Sequence, residues 1–228
     1  MIVELARVGS TLIELGIPFT DPMADGPVIQ RASERALRLQ FGLEDVLRMV
    51  SAARQETDVP IILFSYFNPL LQFGLEKLAD EARRAGLDGV LVTDLVPEEA
   101  EAFATVLGRN ELDMIFLIAP TSTDARLQLV AQCAGGFIYA VSRAGITGAR
   151  AEMSAEAEKL VNRMRRFSDL PIAVGFGISK PEHVADVWRY ADAAVVGSAI
   201  VDRMEKAKNS AAVVKEIGEF TASLITRK

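Results

Sequence analysis

Thr11-Leu-Ile-Glu14-Leu-Gly-Ile-Pro-Phe-Thr-Asp21-Pro-Met-Ala-Asp25-Gly-Pro27 begins as a short apolar run of β type and breaks into a loop rich in Pro and Gly. The run places one carboxylate, Glu14, at its end, and the loop carries two more, Asp21 and Asp25. A strand covered on both faces has no cheap place for a charge, so Glu14 needs a partner, a ligand or a proton. Acid–base chemistry is one use of such a group. The other reading is a glutamate that leaves the strand for solvent, with Asp21 and Asp25 as turn formers before Pro22 and Gly26.

Working outward, similar β-rich runs recur at Thr11–Glu14, Ile61–Tyr66, Gly89–Asp94, Met114–Pro120, Phe137–Ser142, Ile172–Gly177 and Ala193–Ser198. Helical stretches separate them, for example Glu44–Arg54, Glu76–Arg84 and Glu98–Leu107. Strand-then-helix repetition predicts α/β architecture, a parallel sheet with helices outside, and its closed form is the TIM (β/α)8 barrel. Seven strands are counted, and the chain opens in a helix, Met1–Gly9, with Ile2, Leu5 and Val8 on one face. The expected fold is therefore a TIM barrel lacking its first strand. Unpaired edges tend to pair with another chain or be covered. Such a seam is expected either to self-associate or to leave an open barrel with the first helix displaced. An open doubly wound sheet is the other architecture, but no Gly-rich first loop of two βα halves is visible.

No linker rich in Ser, Pro or Gly divides the 228 residues, so one domain over 1–228 is expected. With half the residues hydrophobic and a quarter charged, the chain suits a soluble protein with a substantial core. A net charge of −6 with scattered basic residues offers no footprint for nucleic acid. No apolar run is long enough for a membrane span, and the N-terminus lacks the pattern of a signal peptide. The single cysteine, Cys133, fits a reducing cytoplasm, and the single histidine, His183, cannot build a histidine-rich metal site.

In a barrel the active site forms at the carboxyl ends of the strands. There the sequence offers Glu14, Tyr66, Asp94, Pro120, Ser142, Gly177 and Ser198. Two glycine-rich turns, Gly175-Phe-Gly177-Ile-Ser179 and Gly197-Ser198, each lead from a strand into a helix, and the pair predicts a phosphate site held mainly by backbone N–H groups. Alternatively, these glycines serve only tight turns. Ser179 and Glu182 are spaced as a capping box. The loop Arg143-Ala-Gly145-Ile-Thr147-Gly148 reads as a glycine-bearing lid or as a solvated surface loop. None of the seven lysines falls at a strand end, which disfavours a Schiff-base aldolase. A carboxylate mechanism on a phosphorylated substrate, without a cofactor or metal in this chain, remains.

The opening stretch, with Tyr66-Phe-Asn68-Pro69, Tyr139-Ala-Val-Ser-Arg143-Ala-Gly-Ile-Thr147-Gly148, Gly175-Phe-Gly177-Ile-Ser179 and Gly197-Ser198-Ala-Ile-Val201, resembles the tryptophan synthase α chain family, in family order over nearly the whole chain. In that family a short helix and the first barrel strand, about one strand–helix unit, precede the segment matching Met1. The resemblance implies a carbon–carbon lyase of tryptophan biosynthesis that cleaves indole-3-glycerol phosphate to indole and glyceraldehyde 3-phosphate. It implies Glu14 as acid and base, Asp25 as the acceptor of the indole N–H and Tyr139 beside the glycerol chain. Phe64, Tyr66, Leu91, Leu117 and Phe176 match the indole pocket, although plain barrel core is the simpler account of the apolar ones. Thr147 matches a lid threonine that contacts Asp25, and Gly148, Gly177, Gly197 and Ser198 match phosphate contacts. The implied partner is a pyridoxal-phosphate β chain in an αββα heterotetramer, docked on the loops Pro18–Pro27 and Asn68–Pro69; the cofactor belongs to that chain, and the location is cytoplasmic. Two other readings stay open: an impaired α chain that serves only as a partner, and another phosphate-binding barrel enzyme.

Overall fold

The structure, a computed structural model, describes residues 1–141, 150–175, 177–207 and 210–225. A short helix α1 (Ile2–Arg7) leads into strand β1 (Ile13–Gly16), which is followed by α2 (Pro27–Arg38) and α3 (Leu43–Ala53). Next come β2 (Ile61–Ser65), α4 (Phe67–Phe73), α5 (Leu75–Ala85), β3 (Gly89–Val92), a 3-10 turn at Pro97–Glu99 and α6 (Glu101–Arg109). The chain continues through β4 (Asp113–Ile118), α7 (Asp124–Cys133), β5 (Ile138–Val141), α8 (Arg150–Met164), β6 (Ile172–Gly175) and α9 (Pro181–Val187). It ends with β7 (Ala193–Val195), α10 (Ser198–Lys206) and α11 (Ser210–Ile225).

The seven strands are parallel and lie side by side in chain order. This is a TIM-barrel-like sheet of seven strands forming an incomplete barrel, as the strand count predicts. Period-two alternation divides β2–β5 and β7 between two cores. Ile61, Leu63, Val90, Met114, Phe116, Ile138, Ile172 and Val174 pack outward against the helices. Ile62, Leu91, Ile115 and Tyr139, with Leu12, Phe64, Leu117, Val141 and Val195 around them, form a separate inner cluster. Both faces are thus covered, which is why these strands read as nearly unbroken apolar runs.

At the amino-terminal rim two similar latches set the strand starts. Asp88 accepts the Ile61 N–H at 2.7 Å and pairs with Arg54 from the end of α3. Asp192 accepts the Ile172 N–H at 2.8 Å and pairs with Arg165 at 3.0 Å, just past the end of α8. Each aspartate occupies a first ladder donor while an arginine neutralises it.

Strands β1 and β7 end the sheet, and no ladder joins them among the described residues. Helices span the gap from outside: α1 packs on α11 and on β1, and α2 packs on α10. Arg31 and Arg35 of α2 both bind the Glu205 carboxylate of α10, at 2.8 and 2.7 Å. The first helix is therefore not displaced, and Ile2 is buried against the core. Burying one apolar side chain on the sheet is worth about 1.5–3 kcal/mol, enough to hold so short a helix in place.

Two local expectations are corrected. Strand β1 begins at Ile13 and continues through Leu15 and Gly16, which pair with Leu63 and Phe64, so Glu14 is not the last residue of its strand. The ladder outruns that run because backbone groups make it: Leu15 and Gly16 keep register with Leu63 and Phe64, and the Ile17 N–H donates to the Phe64 carbonyl at 3.0 Å. The capping box at Ser179 and Glu182 does not form. Helix α9 starts at Pro181 with Lys180 as its cap, and the Ser179 N–H donates instead to Nδ1 of His183 at 3.2 Å. Proline at the first helical position fixes that start.

Candidate active site

Glu14 shares the inward parity of Leu12, and its register partner is Ile62 of the inner cluster. Its Oε1 is buried and has no hydrogen-bond partner among the described residues. Loss of solvation with no compensating donor pushes the carboxyl group up to about 7. A group there holds a proton near neutrality and can release it, the condition for acid–base work.

Tyr139 projects inward from β5, with its ring edge-on to Phe64 at a centroid distance of 6.4 Å. Burial, and secondarily the charge of Glu14, hold its hydroxyl well above the ordinary phenol range. It therefore remains a neutral phenol, able to donate, close enough to Glu14 to feel its charge. Phe64, Leu91 and Leu117 share this interior.

Asp25 lies in the loop between β1 and α2, immediately before the Gly26 cap and Pro27 at the first helical position. Burial raises its carboxyl, while a hydrogen bond from the Tyr66 hydroxyl opposes that rise. The same hydroxyl accepts the Ala24 N–H at 2.8 Å, and the Tyr66 ring lies against Phe19 at 5.2 Å. Tyr66 itself is pushed up to about 12, mainly by burial.

Across the seam from the start of α2, Gly177 adopts φ +68°, in the left-handed region that favours glycine. Gly177 and Ser198 line one cavity of about 660 Å³, and Gly197 caps α10 beside it. The cavity wall also carries Lys180, Arg203 and Lys206, which the emphasis on backbone N–H groups passed over. Helical spacing was the available signal for two of them, because Arg203 and Lys206 stand three residues apart on one side of α10. Thr147, Gly148 and Phe176 lie outside the described residues. Among the described residues, no group of three or more His, Cys, Asp or Glu side chains could hold a metal ion, and no helix is long and apolar enough to cross a membrane.

Two carboxylates of different environment, an apolar interior and glycine-rich turns beside the start of α2 invite comparison with known proteins. A family model described as Tryptophan synthase alpha chain matches residues 1–225. The tryptophan synthase alpha chain of Solibacter usitatus is 49% identical over 224 residues, covering 98% of this chain and 84% of that one. The chain belongs to the tryptophan synthase alpha chain family. The homologue from Geotalea uraniireducens is 46% identical with the same coverage. The crystal structure of tryptophan synthase subunit alpha from Legionella pneumophila matches with a TM-score of 0.86 at 37% identity, covering 97% of this chain and 82% of that one. A chain from the structure of the tryptophan synthase a2b2 complex of Pyrococcus furiosus matches with a TM-score of 0.90 at 35% identity, covering 98% and 90%. This α chain is a lyase of tryptophan biosynthesis and carries out the α reaction. The alternative of a partner without turnover is not favoured. The tryptophan synthase α chain family does not itself bind pyridoxal phosphate.

Proposed function

We propose that Glu14 is both acid and base in the α reaction and that Asp25 balances the charge developing on the indole ring. The supporting observation is the buried, unpartnered Glu14 carboxyl, raised to about 7 and set on the inner face of the sheet. Its proton passes to indole C3, turning the ring into an electron sink. Positive character then grows at N1, where the Asp25 carboxylate accepts the N–H. Glu14, now a carboxylate, removes the proton from the hydroxyl on the carbon attached to the ring. The carbon–carbon bond breaks, its electron pair returns to the ring, and indole and glyceraldehyde 3-phosphate separate. Glu14 ends with the proton it needs for the next turnover.

Tyr139 contacts the glycerol chain. Phe64, Leu91, Leu117 and Phe176 hold the indole, with Tyr66 at the pocket edge. Gly148, Gly177, Gly197 and Ser198 take the phosphate, and Thr147 closes over Asp25. The whole of 1–228 acts as one domain in the cytoplasm. Its partner is the pyridoxal-phosphate β chain in an αββα assembly, docked on the rim formed by Pro18–Pro27 and Asn68–Pro69; without that chain the open seam is the route to self-association.

Indole release by Glu14→Gln and Asp25→Asn tests this reading. Loss of one proton-transfer group is expected to cost about 10²–10⁴-fold in rate. Wild-type turnover in either variant would remove that residue from the mechanism, and absence of both co-elution and stimulation with the β chain would remove the partnership.

A further inference from the structure

The Tyr66 hydroxyl is turned toward the loop between β1 and α2. A phenol offers one proton and two acceptor sites. One acceptor site takes the Ala24 N–H at 2.8 Å, which leaves the proton to face the neighbouring Asp25 carboxylate, whose rise on burial the hydroxyl opposes. Both partners belong to the loop between β1 and α2, whereas Tyr66 stands at the end of β2. Its ring is fixed from the side by Phe19.

The backbone around Tyr66 is fixed as well. Asp94, just beyond β3, accepts the Phe67 N–H at 2.7 Å, and the Ser65 hydroxyl donates to the Tyr66 carbonyl at 2.9 Å. Three neighbouring strand ends are thereby joined in series: Asp94 holds the residue after Tyr66, and Tyr66 holds Asp25. The loop's own bonds at Asp25 set only its backbone. Asp25 N–H donates to the Pro22 carbonyl at 3.1 Å, and Gln30 donates to the Asp25 carbonyl at 2.9 Å.

We infer that Tyr66, braced by Phe19 and Asp94, is a positioning residue that aims the Asp25 carboxylate at indole N1. This rests on the role proposed above for Asp25. A carboxylate on a loop has several rotamers, and a misplacement of about 1 Å can cost about 10²-fold in rate. The hydroxyl removes that freedom before substrate arrives. Among the described residues, the titratable group acting on the Asp25 carboxylate is Tyr66.

Tyr66→Phe keeps the ring against Phe19 and deletes only the hydroxyl. In the full chain with its β chain, kcat for indole release should fall about tenfold or more, as for loss of a hydrogen bond to a charged group, while KM stays within about twofold. The acidic limb of the kcat–pH profile should move to higher pH, because Asp25 loses the bond that opposes its burial, and the basic limb set by Glu14 should stay. In an Asp25→Asn background, Tyr66→Phe should cost nothing further. Asp94→Ala should lower kcat in the same direction and Asp94→Asn should restore it, since an amide oxygen still accepts the Phe67 N–H. Retained glycerol phosphate binding shows that each variant is folded, and if Tyr66→Phe fails that check, the Asp94 pair decides. Raised KM with unchanged kcat and an unmoved acidic limb, or losses that multiply in the double variant, would overturn the inference. Wild-type turnover in Asp25→Asn would instead overturn the role of Asp25 itself.

Discussion

The Tyr139 hydroxyl lies directly over the α-carbon of Gly175: a Cβ built at Gly175 would come within 2.0 Å of that oxygen and 2.6 Å of Cζ. The two residues sit on adjacent strands facing the same interior, and glycine leaves the space that the phenol occupies. Tyr139 is only 7% exposed and has little room to swing aside.

Gly175→Ala should therefore push the phenol out of place. Overpacking of this kind costs about 1–3 kcal/mol of stability. In a Tyr139→Ala background most of that cost should vanish, because the clashing ring is gone. Chemical denaturation of the four proteins measures the coupling, and additive losses would show that the contact is relieved elsewhere.

Burial of Glu14 has a consequence for stability as well as for its proposed role. Its carboxyl rises from an ordinary 4.5 to about 7 on folding. Between those values the folded chain keeps a proton that the unfolded chain has lost, so stability falls as pH rises through the window. The full swing is about 3 kcal/mol, at 1.36 kcal/mol for each pH unit. Glu14→Gln should remove the slope and leave the variant more stable than the wild type above pH of about 7. Denaturation midpoints at several pH values check this, and parallel curves would show that the carboxyl is solvated.

Gly197 offers a separable test of the proposed phosphate turn. A Cβ there meets nothing within 4 Å, and its φ of −105° suits any residue. Gly197→Asp should fold normally while setting a carboxylate at the start of α10. Glycerol phosphate binding should weaken about tenfold or more and indole binding little, as like charges repel in a partly dry site. Equal loss of both ligands would point to unfolding.

Across the seam, Arg31 and Arg35 share Glu205 on a half-exposed surface. Glu205→Ala should destabilise by no more than about 1 kcal/mol, less in high salt. A larger loss that salt does not reduce would mean that helix packing, not charge, is being disturbed. Sedimentation of the same variant, without the β chain, reports whether loosening this bridge promotes self-association.

Much of the fold was legible because its signals are local. Seven apolar runs alternating with helical stretches are enough for a parallel sheet, and period two alone puts Leu12, Glu14, Ile62, Phe64, Leu91, Leu117 and Tyr139 on one face. That Glu14 falls among apolar neighbours, and so cannot stay charged cheaply, also follows from the chain read in one dimension. What only the tertiary structure decided depends on residues far apart meeting at a particular angle. Sheet curvature brings α10 against α2, Arg31 against Glu205, and the Tyr66 hydroxyl over Ala24 and Asp25. It also carries Lys180, Arg203 and Lys206 into the wall of the cavity beside Gly177 and Ser198 and lets the β1 ladder outrun its apolar residues. Pattern repeats of two or four residues carry no record of such meetings, because a hydrogen-bonding group looks the same in sequence whether its partner is water or a loop on the next strand.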